Sequence, residues 1–102
     1  MPCLFEIRLD SADGSLFQRW FDKMVELKAS APLGGLVNRR ALLSHHTDEV
    51  TVQLLASANL NVRSRRHVIV NRVTQVSLQG EHGPIWGRII HEYYPDADIP
   101  EN

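Results

Sequence analysis

Apolar and polar side chains alternate along this chain with two different periods, and the helical period is clearest in Ser15–Ala29. At about 100° per residue, the large apolar side chains fill one half of a helical wheel and the charged ones fill the other. The apolar set is Leu16, Phe17, Trp20, Phe21, Met24, Val25 and Leu27. Ser15 and Gln18 have the spacing of a capping box, and Pro32 prevents continuation. The pattern predicts one long helix, and its wide apolar arc needs a curved sheet or a second chain around it.

A period of two residues, which is typical of strands, recurs in the rest of the chain. In the first segment Cys3, Phe5, Ile7 and Leu9 alternate with Leu4, Glu6 and Arg8. The pattern predicts five strands: Cys3–Leu9, Leu36–His45, Val50–Ala58, Val62–Leu78 and Ile85–Tyr94. Residues 46–49 join the second and third strands as a hairpin loop. The fourth run is longer than an ordinary strand, so a bend is expected near Asn71 and Arg72.

Strands joined by short connections pair antiparallel, because a parallel crossover needs about a dozen residues or more. We therefore predict an α+β fold with one long N-terminal helix packed on a curled, mostly antiparallel sheet of about five strands, in the order β-α-β-β-β-β. In topology this order resembles cystatin/NTF2-like curled sheets, although no sequence motif of either family is present. A ferredoxin-like alternative needs a second helix within residues 50–61, where the β-branched start of VTVQLLASANLN favours a strand.

Length and composition predict one domain, 1–102, in which the acidic segment 95–102 is a loose tail unless Ile99 packs. With 43% hydrophobic and 23% charged residues, the composition is that of a soluble globular protein. The net charge of −1 gives no overall attraction to nucleic acid or to an anionic membrane. No apolar run is long enough for a membrane span, and MPCLFEIRLD lacks the features of a signal peptide, so a cytoplasmic protein is expected.

The outward face of the predicted sheet is also apolar, which a monomer would have to cover. The residues on that face are Leu55, Ile69, Val73, Trp86 and Ile90. Because no second helix is predicted, another copy of the chain is the simplest cover, and the sequence predicts a homodimer through these residues. The alternative is that a bulge changes the face of one strand.

Catalytic and metal-binding signatures are missing from the sequence. The histidines are His45, His46, His67, His82 and His91. None of them has the spacing of a metal site, and the nucleophile and phosphate-loop motifs are absent. We therefore predict no catalytic residue, no metal and no cofactor, with His67 and His91 as the better candidates if one pair is functional.

Basic residues are concentrated in one predicted strand, which carries Arg63, Arg65, Arg66 and Arg72. Such a stripe beside Trp86 or Tyr94 could neutralise and stack single-stranded nucleic acid. The alternative is an edge strand that is protected from aggregation by its charge.

The aromatic side chains of the long helix predict a hydrophobic pocket between helix and sheet, lined by Trp20 and Tyr93 and with His91 as its polar group. Together the patterns indicate a small non-catalytic binding or interaction protein that acts as a homodimer. The alternatives are a small-molecule-binding protein or small enzyme that uses this pocket, and a nucleic-acid-binding protein that uses the arginine-rich strand.

Overall fold

The computed structural model describes residues 2–29, 39–80 and 83–102. The main elements of these residues are β1 (Cys3–Leu9), α1 (Gly14–Glu26), β2 (Arg40–His45), α2 (Glu49–Ala56), β3 (Val68–Arg72) and α3 (Gly83–Tyr93). One 3₁₀ helix, Val62–His67, precedes β3, and a second, Ser77–Gln79, follows it. The three strands form an antiparallel sheet in the order β2-β1-β3, so β1 is the central strand.

The predicted α+β class is confirmed, but five strands and a single long helix are wrong for the described residues. The predicted strands 50–58 and 85–94 fall on α2 and α3. The predicted long strand 62–78 contains β3, which has five residues, between the two 3₁₀ helices. The predicted strand 36–45 is a strand from Arg40 onward, and residues 36–38 lie outside the described residues.

The second helix, α2, forms because its start is capped and its apolar residues recur at helical spacing. The carboxylate of Asp48 accepts a hydrogen bond from the backbone N–H of Thr51 at 2.8 Å. This bond is the main cause of the lowered pKa of Asp48. Val52 and Ala56, four residues apart, are both buried against the sheet. Burial therefore outweighs the strand preference of the β-branched residues at the start of α2.

The third helix, α3, also has apolar residues at helical spacing. Trp86, Ile89, Ile90 and Tyr94 are separated by three, one and four residues, which places them on one face of a helix. Pro84 lies in the first turn, where its missing N–H costs no hydrogen bond. The segment is therefore an amphipathic helix and not the last strand of the sheet.

The long helix α1 begins one residue earlier than predicted and has a different cap. Asp13, not Ser15, is the N-cap, and its carboxylate accepts from the hydroxyl of Ser15 at 2.8 Å and from the backbone N–H of Leu16 at 3.3 Å. The Ser15 hydroxyl is the main cause of the lowered pKa of Asp13. Gln18 bonds to Asp22 on its own helix, so the predicted capping box is wrong.

The C-terminal end of α1 is a Schellman motif with a lysine in the glycine position. The N–H of Ala29 donates to the carbonyl of Met24 at 2.9 Å, and the N–H of Lys28 donates to that of Val25 at 3.0 Å. Lys28 therefore has a positive φ of 61°, a conformation that glycine adopts without a steric cost.

Helices cover both faces of the sheet. The first face packs against α1 and α2, and its core is formed by buried residues of β1 such as Phe5, Ile7 and Leu9, together with Trp20 and Met24. The second face packs against α3 and the C-terminal residues. Its core contains Leu4, Leu42, Val73 and Trp86, with Leu78, Ile89, Ile90, Tyr94, Ala97 and Ile99 packed against them. The second face is thus covered by a helix of the same chain.

Side chains occupy the free backbone edges of both outer strands. The N–H of Val73 donates to the carbonyl of Leu4, so the odd-numbered residues from 67 to 73 bond to β1 and the even-numbered ones face outward. The amide nitrogen of Gln53 on α2 donates to the outward carbonyl of Val68 at 2.7 Å and to that of Arg65 at 3.3 Å. One turn away, the carboxylate of Glu49 accepts from the outward N–H of Arg72 at 3.2 Å.

On the opposite edge, the hydroxyl of Tyr94 donates to the carbonyl of Leu42 at 3.3 Å. The same register makes the N–H and C=O groups of Leu42 face away from β1. Side-chain caps of this kind leave fewer backbone groups to pair with another strand.

The C-terminal residues lie beside β1 where β3 ends. The N–H of Asp98 donates to the carbonyl of Pro2 at 2.8 Å, and the carboxylate of Asp98 forms an ion pair with Arg72 at 3.0 Å. Further along, the carbonyl of Pro100 accepts from the N–H of Gln75 at 2.8 Å. Ile99 packs against the second core. The sequence analysis predicted a loose tail unless Ile99 packs, and this contact holds the tail against the rest of the chain.

No helix in the described part of the chain has the length and apolar character needed to cross a membrane.

Candidate functional site: the polar half of the second sheet face

The second face of the sheet is mainly apolar at one end and mainly polar at the other, where Ile69 lies opposite Arg8. The apolar end contains Leu4, Leu42 and Val73 and lies under α3. Further along the same face of the strands the side chains become polar, because alternation places Glu6 and Arg8 of β1 on the same side as Leu4. The polar floor, as we name this half, consists of Glu6, Arg8, Arg40 and Asn71, which come from all three strands.

A cleft of about 380 Å³ lies where the polar floor meets α3. Its lining combines the floor with the 3₁₀ helix after β3 and the first turn of α3: Glu6, Arg40, Asn71, Arg72, Val73, Ser77, Leu78 and Trp86. The sheet supplies polar and charged groups, while Val73, Leu78 and Trp86 supply an apolar wall. Clefts with an apolar wall and a few convergent polar groups are typical of small-molecule sites.

Among the described residues, each charged group of the polar floor has one ion-pair partner at most. A guanidinium nitrogen of Arg40 lies 3.1 Å from a carboxylate oxygen of Glu6, and the two side chains are 28% and 20% exposed. Arg8 is 3.9 Å from the carboxylate of Asp10, which is 66% exposed, so water weakens this second pair. Arg40 thus uses one N–H group in this pair, and a guanidinium has five.

The register brings the two arginines together. Arg8 is directly opposite Arg40 across β1 and β2. Because Val73 bonds to Leu4 on the other side of β1, Arg8 and Arg40 form a non-hydrogen-bonded pair, in which Cβ atoms are about 4.5–5.5 Å apart. Like charges directly opposite each other destabilise a sheet. The pair therefore has an electrostatic cost, which the ion pair between Arg40 and Glu6 partly offsets.

The indole ring of Trp86 lines the cleft, but its N–H group is buried. Trp86 is 9% exposed, and its Nε1–H has no hydrogen-bond partner within the described residues. Buried indole N–H groups usually have a partner. The Nε1–H of Trp20 is also unpartnered, but Trp20 belongs to the core on the other face of the sheet.

The polar floor contains a carboxylate, two guanidinium groups and an amide. These groups can form ion pairs and hydrogen bonds with a ligand. In the described residues no three His, Cys, Asp or Glu side chains lie together in a way that could hold a metal ion. The two carboxylates with lowered pKa values, Asp13 and Asp48, are helix caps and lie outside the floor.

The residues of the predicted helix–sheet pocket are not brought together. Trp20 is fully buried in the first core, while His91 and Tyr93 are exposed residues of α3, which lies on the other face of the sheet. His67, the other histidine of the predicted pair, lies near the end of β1, where its Nδ1 is 3.1 Å from the carbonyl of Asp10. The cleft described above therefore differs from the pocket that the sequence predicted.

The arginine-rich segment is also organised differently. Arg63, Arg65 and Arg66 lie in a 3₁₀ helix, whose three residues per turn place Arg63 and Arg66 on one side. Arg65 is half-buried and donates from Nε to the carbonyl of Leu60 at 3.1 Å, and Arg72 pairs with Asp98. Arg63 and Arg66 are exposed and have no ion pair among the described residues. Nucleic-acid binding through this segment stays a prediction. It would depend on the two exposed arginines, Arg63 and Arg66, and not on a stripe of four.

The residues of the predicted dimer interface are buried or half-buried in the folded chain. Val73, Trp86 and Ile90 belong to the second core beneath or on α3, and Ile69 and Leu55 are half-buried on β3 and α2. The reason given for a homodimer, an apolar face without a helix to cover it, is therefore wrong, because α3 covers that face. The homodimer itself stays a prediction.

The alternation of Glu6 and Arg8 with apolar residues is visible in the sequence, but it does not by itself define a site. The signal was incomplete, because the pairing of Arg8 with Arg40 depends on the register of β1 and β2. The helical spacing of Trp86, Ile90 and Tyr94 was visible and could have shown that a helix borders the cleft.

Searches against models of protein families, curated protein sequences and solved structures found no match to this chain, so the site is interpreted from its own geometry.

Proposed function

We propose that this protein is a non-catalytic binding protein whose ligand is a small molecule in the cleft between the polar floor and α3. The observation that supports the proposal is the meeting of charged groups from three strands with an apolar wall in a cleft of about 380 Å³. A volume in this range suits a small organic ligand. The pairing of two arginines across β1 and β2 is a further argument for a ligand, because like charges directly opposite each other destabilise a sheet.

A set of four compounds that share a benzene ring tests this proposal: benzoate, phenyl phosphate, benzylamine and benzyl alcohol. In ¹H–¹⁵N spectra the indole N–H signals of Trp86 and Trp20 report on the two faces of the sheet. We expect at least one compound to shift the Trp86 signal in a saturable way while the Trp20 signal stays in place. If none of the four compounds shifts the Trp86 signal at millimolar concentration, the proposal is contradicted.

A further inference from the structure

From the like-charged pair on the polar floor we propose that the ligand carries an oxyanion, a carboxylate or a phosphate, which binds between Arg8 and Arg40. This inference rests on the proposed function, since it concerns the same cleft. It also assigns a role to Arg8, which lies directly opposite the lining residue Arg40 but is not itself part of the lining.

The charge balance of the floor favours an anion. Glu6 contributes one negative charge and the two arginines contribute two positive charges. Asp10 approaches Arg8 only to 3.9 Å from a largely exposed position, and Arg72 at the cleft is already paired with Asp98. The floor therefore has an excess of one positive charge at the point where Arg8 faces Arg40.

The geometry of the pair fits one anion. Side chains in a non-hydrogen-bonded antiparallel pair leave the sheet about 5 Å apart, so two guanidinium groups can converge on a single carboxylate or phosphate. Guanidinium N–H groups form strong, often bidentate, hydrogen bonds with both kinds of oxyanion. An anion at this position converts the repulsion between the arginines into two attractive contacts.

The wall of the cleft accounts for the rest of the ligand. Val73, Leu78 and Trp86 lie at the α3 side of the floor, so an apolar or aromatic body attached to the anion would extend over them. The expected class is a small aromatic or apolar carboxylate or phosphate.

Substitutions of Glu6 and of the arginines should change the affinity for the ligand in opposite directions, because the Glu6 carboxylate competes with the ligand for Arg40. Glu6→Gln removes the competitor and is expected to strengthen benzoate or phenyl phosphate binding several-fold. Arg8→Gln and Arg40→Gln each remove a charge-assisted contact and are expected to weaken that binding about tenfold or more. Arg63→Gln, at an exposed arginine of the first 3₁₀ helix, is the matched control for the loss of one positive charge and should leave the affinity unchanged.

The experiment is a titration of the four benzene compounds into the folded protein and these variants, followed by the Trp86 indole signal at constant ionic strength. Benzoate and phenyl phosphate separate the two sources of the oxyanion. Binding of either anion with the opposite effects of Glu6→Gln and Arg40→Gln supports the inference. Saturable binding of benzylamine or benzyl alcohol in preference to both anions would overturn it while leaving the proposed function intact, whereas binding of none contradicts both. If Arg40→Gln does not fold, Arg8→Gln and Glu6→Gln decide the result.

Discussion

The hydrogen bonds from Gln53 to the outward edge of β3 give the sharpest test of the fold. Both acceptors are carbonyl oxygens, those of Val68 at 2.7 Å and Arg65 at 3.3 Å, so the NH₂ group of the amide must face them. Gln53→Met keeps the length of the side chain and removes both donors. At about 0.5–1.5 kcal/mol for each hydrogen bond, the variant should lose about 1–3 kcal/mol of the free energy of unfolding.

In a chain of this size such a loss lowers Tm by roughly 5–20 °C, which thermal unfolding followed by circular dichroism measures. The matched control is Gln18→Met on α1, where the same amide bonds only to Asp22 on an exposed helix surface. That change should cost about 0.5 kcal/mol or less. Equal losses in the two variants would refute the conclusion that α2 caps the edge of the sheet.

The remaining predictions concern helix ends and the second core. Lys28→Gly should raise the free energy of unfolding by about 0.5–1 kcal/mol in urea denaturation, because glycine adopts the positive φ of this position without strain, and an unchanged or lower value would contradict the Schellman assignment. The lowered pKa values of Asp13 and Asp48 predict that their contribution is complete above the unfolded value of 3.8 and is lost as the pH falls through the lower folded values. Asn at both positions keeps the caps and should flatten the acid side of the stability–pH curve; an unchanged curve would argue against this contribution. Ile90→Glu should destabilise the chain by at least about 2 kcal/mol because Ile90 packs into the second core, whereas Ile85→Glu on the exposed side of α3 should change it by about 0.5 kcal/mol or less. Light scattering on the same proteins at tens of micromolar tests the predicted homodimer, and a monomer mass for the native chain would exclude it.

The sequence predicted the parts of the fold in which local pattern and tertiary environment agree. β1 and α1 have clear periods of two and about 3.6 residues, and the structure has them within one or two residues of the predicted bounds, except at the end of α1. α2 was missed because its β-branched first turn favours a strand until Val52 and Ala56 are buried against the sheet. α3 was missed because its apolar residues occur in adjacent pairs, Ile85-Trp86, Ile89-Ile90 and Tyr93-Tyr94. A strand would then have apolar residues on both faces, and this interpretation hid the helical spacing.

The candidate site was less predictable than the fold for a physical reason. Glu6, Arg8 and Arg40 are unremarkable as single polar residues on two strands, and only the register makes Arg8 face Arg40. A shift of one residue would move Arg40 to the other face of the sheet. Register in turn depends on how the helices pack on both faces of the sheet. The pattern of residues along the sequence does not give that packing.

The central position of β1 has a consequence for the order in which the chain is synthesised. β1 is made first, but its partner β3 follows about 60 residues later, and at about 5–20 residues per second the wait is roughly 3–12 s. Four residues of β1 are buried in the folded protein: Leu4, Phe5, Ile7 and Leu9. During that time they lack the full set of covering helices and the second neighbouring strand. A newly made chain therefore presents a strand with one apolar side, formed by Phe5, Ile7 and Leu9, and with Leu4 on the other side. This is the segment that we expect a chaperone in the cell to bind first.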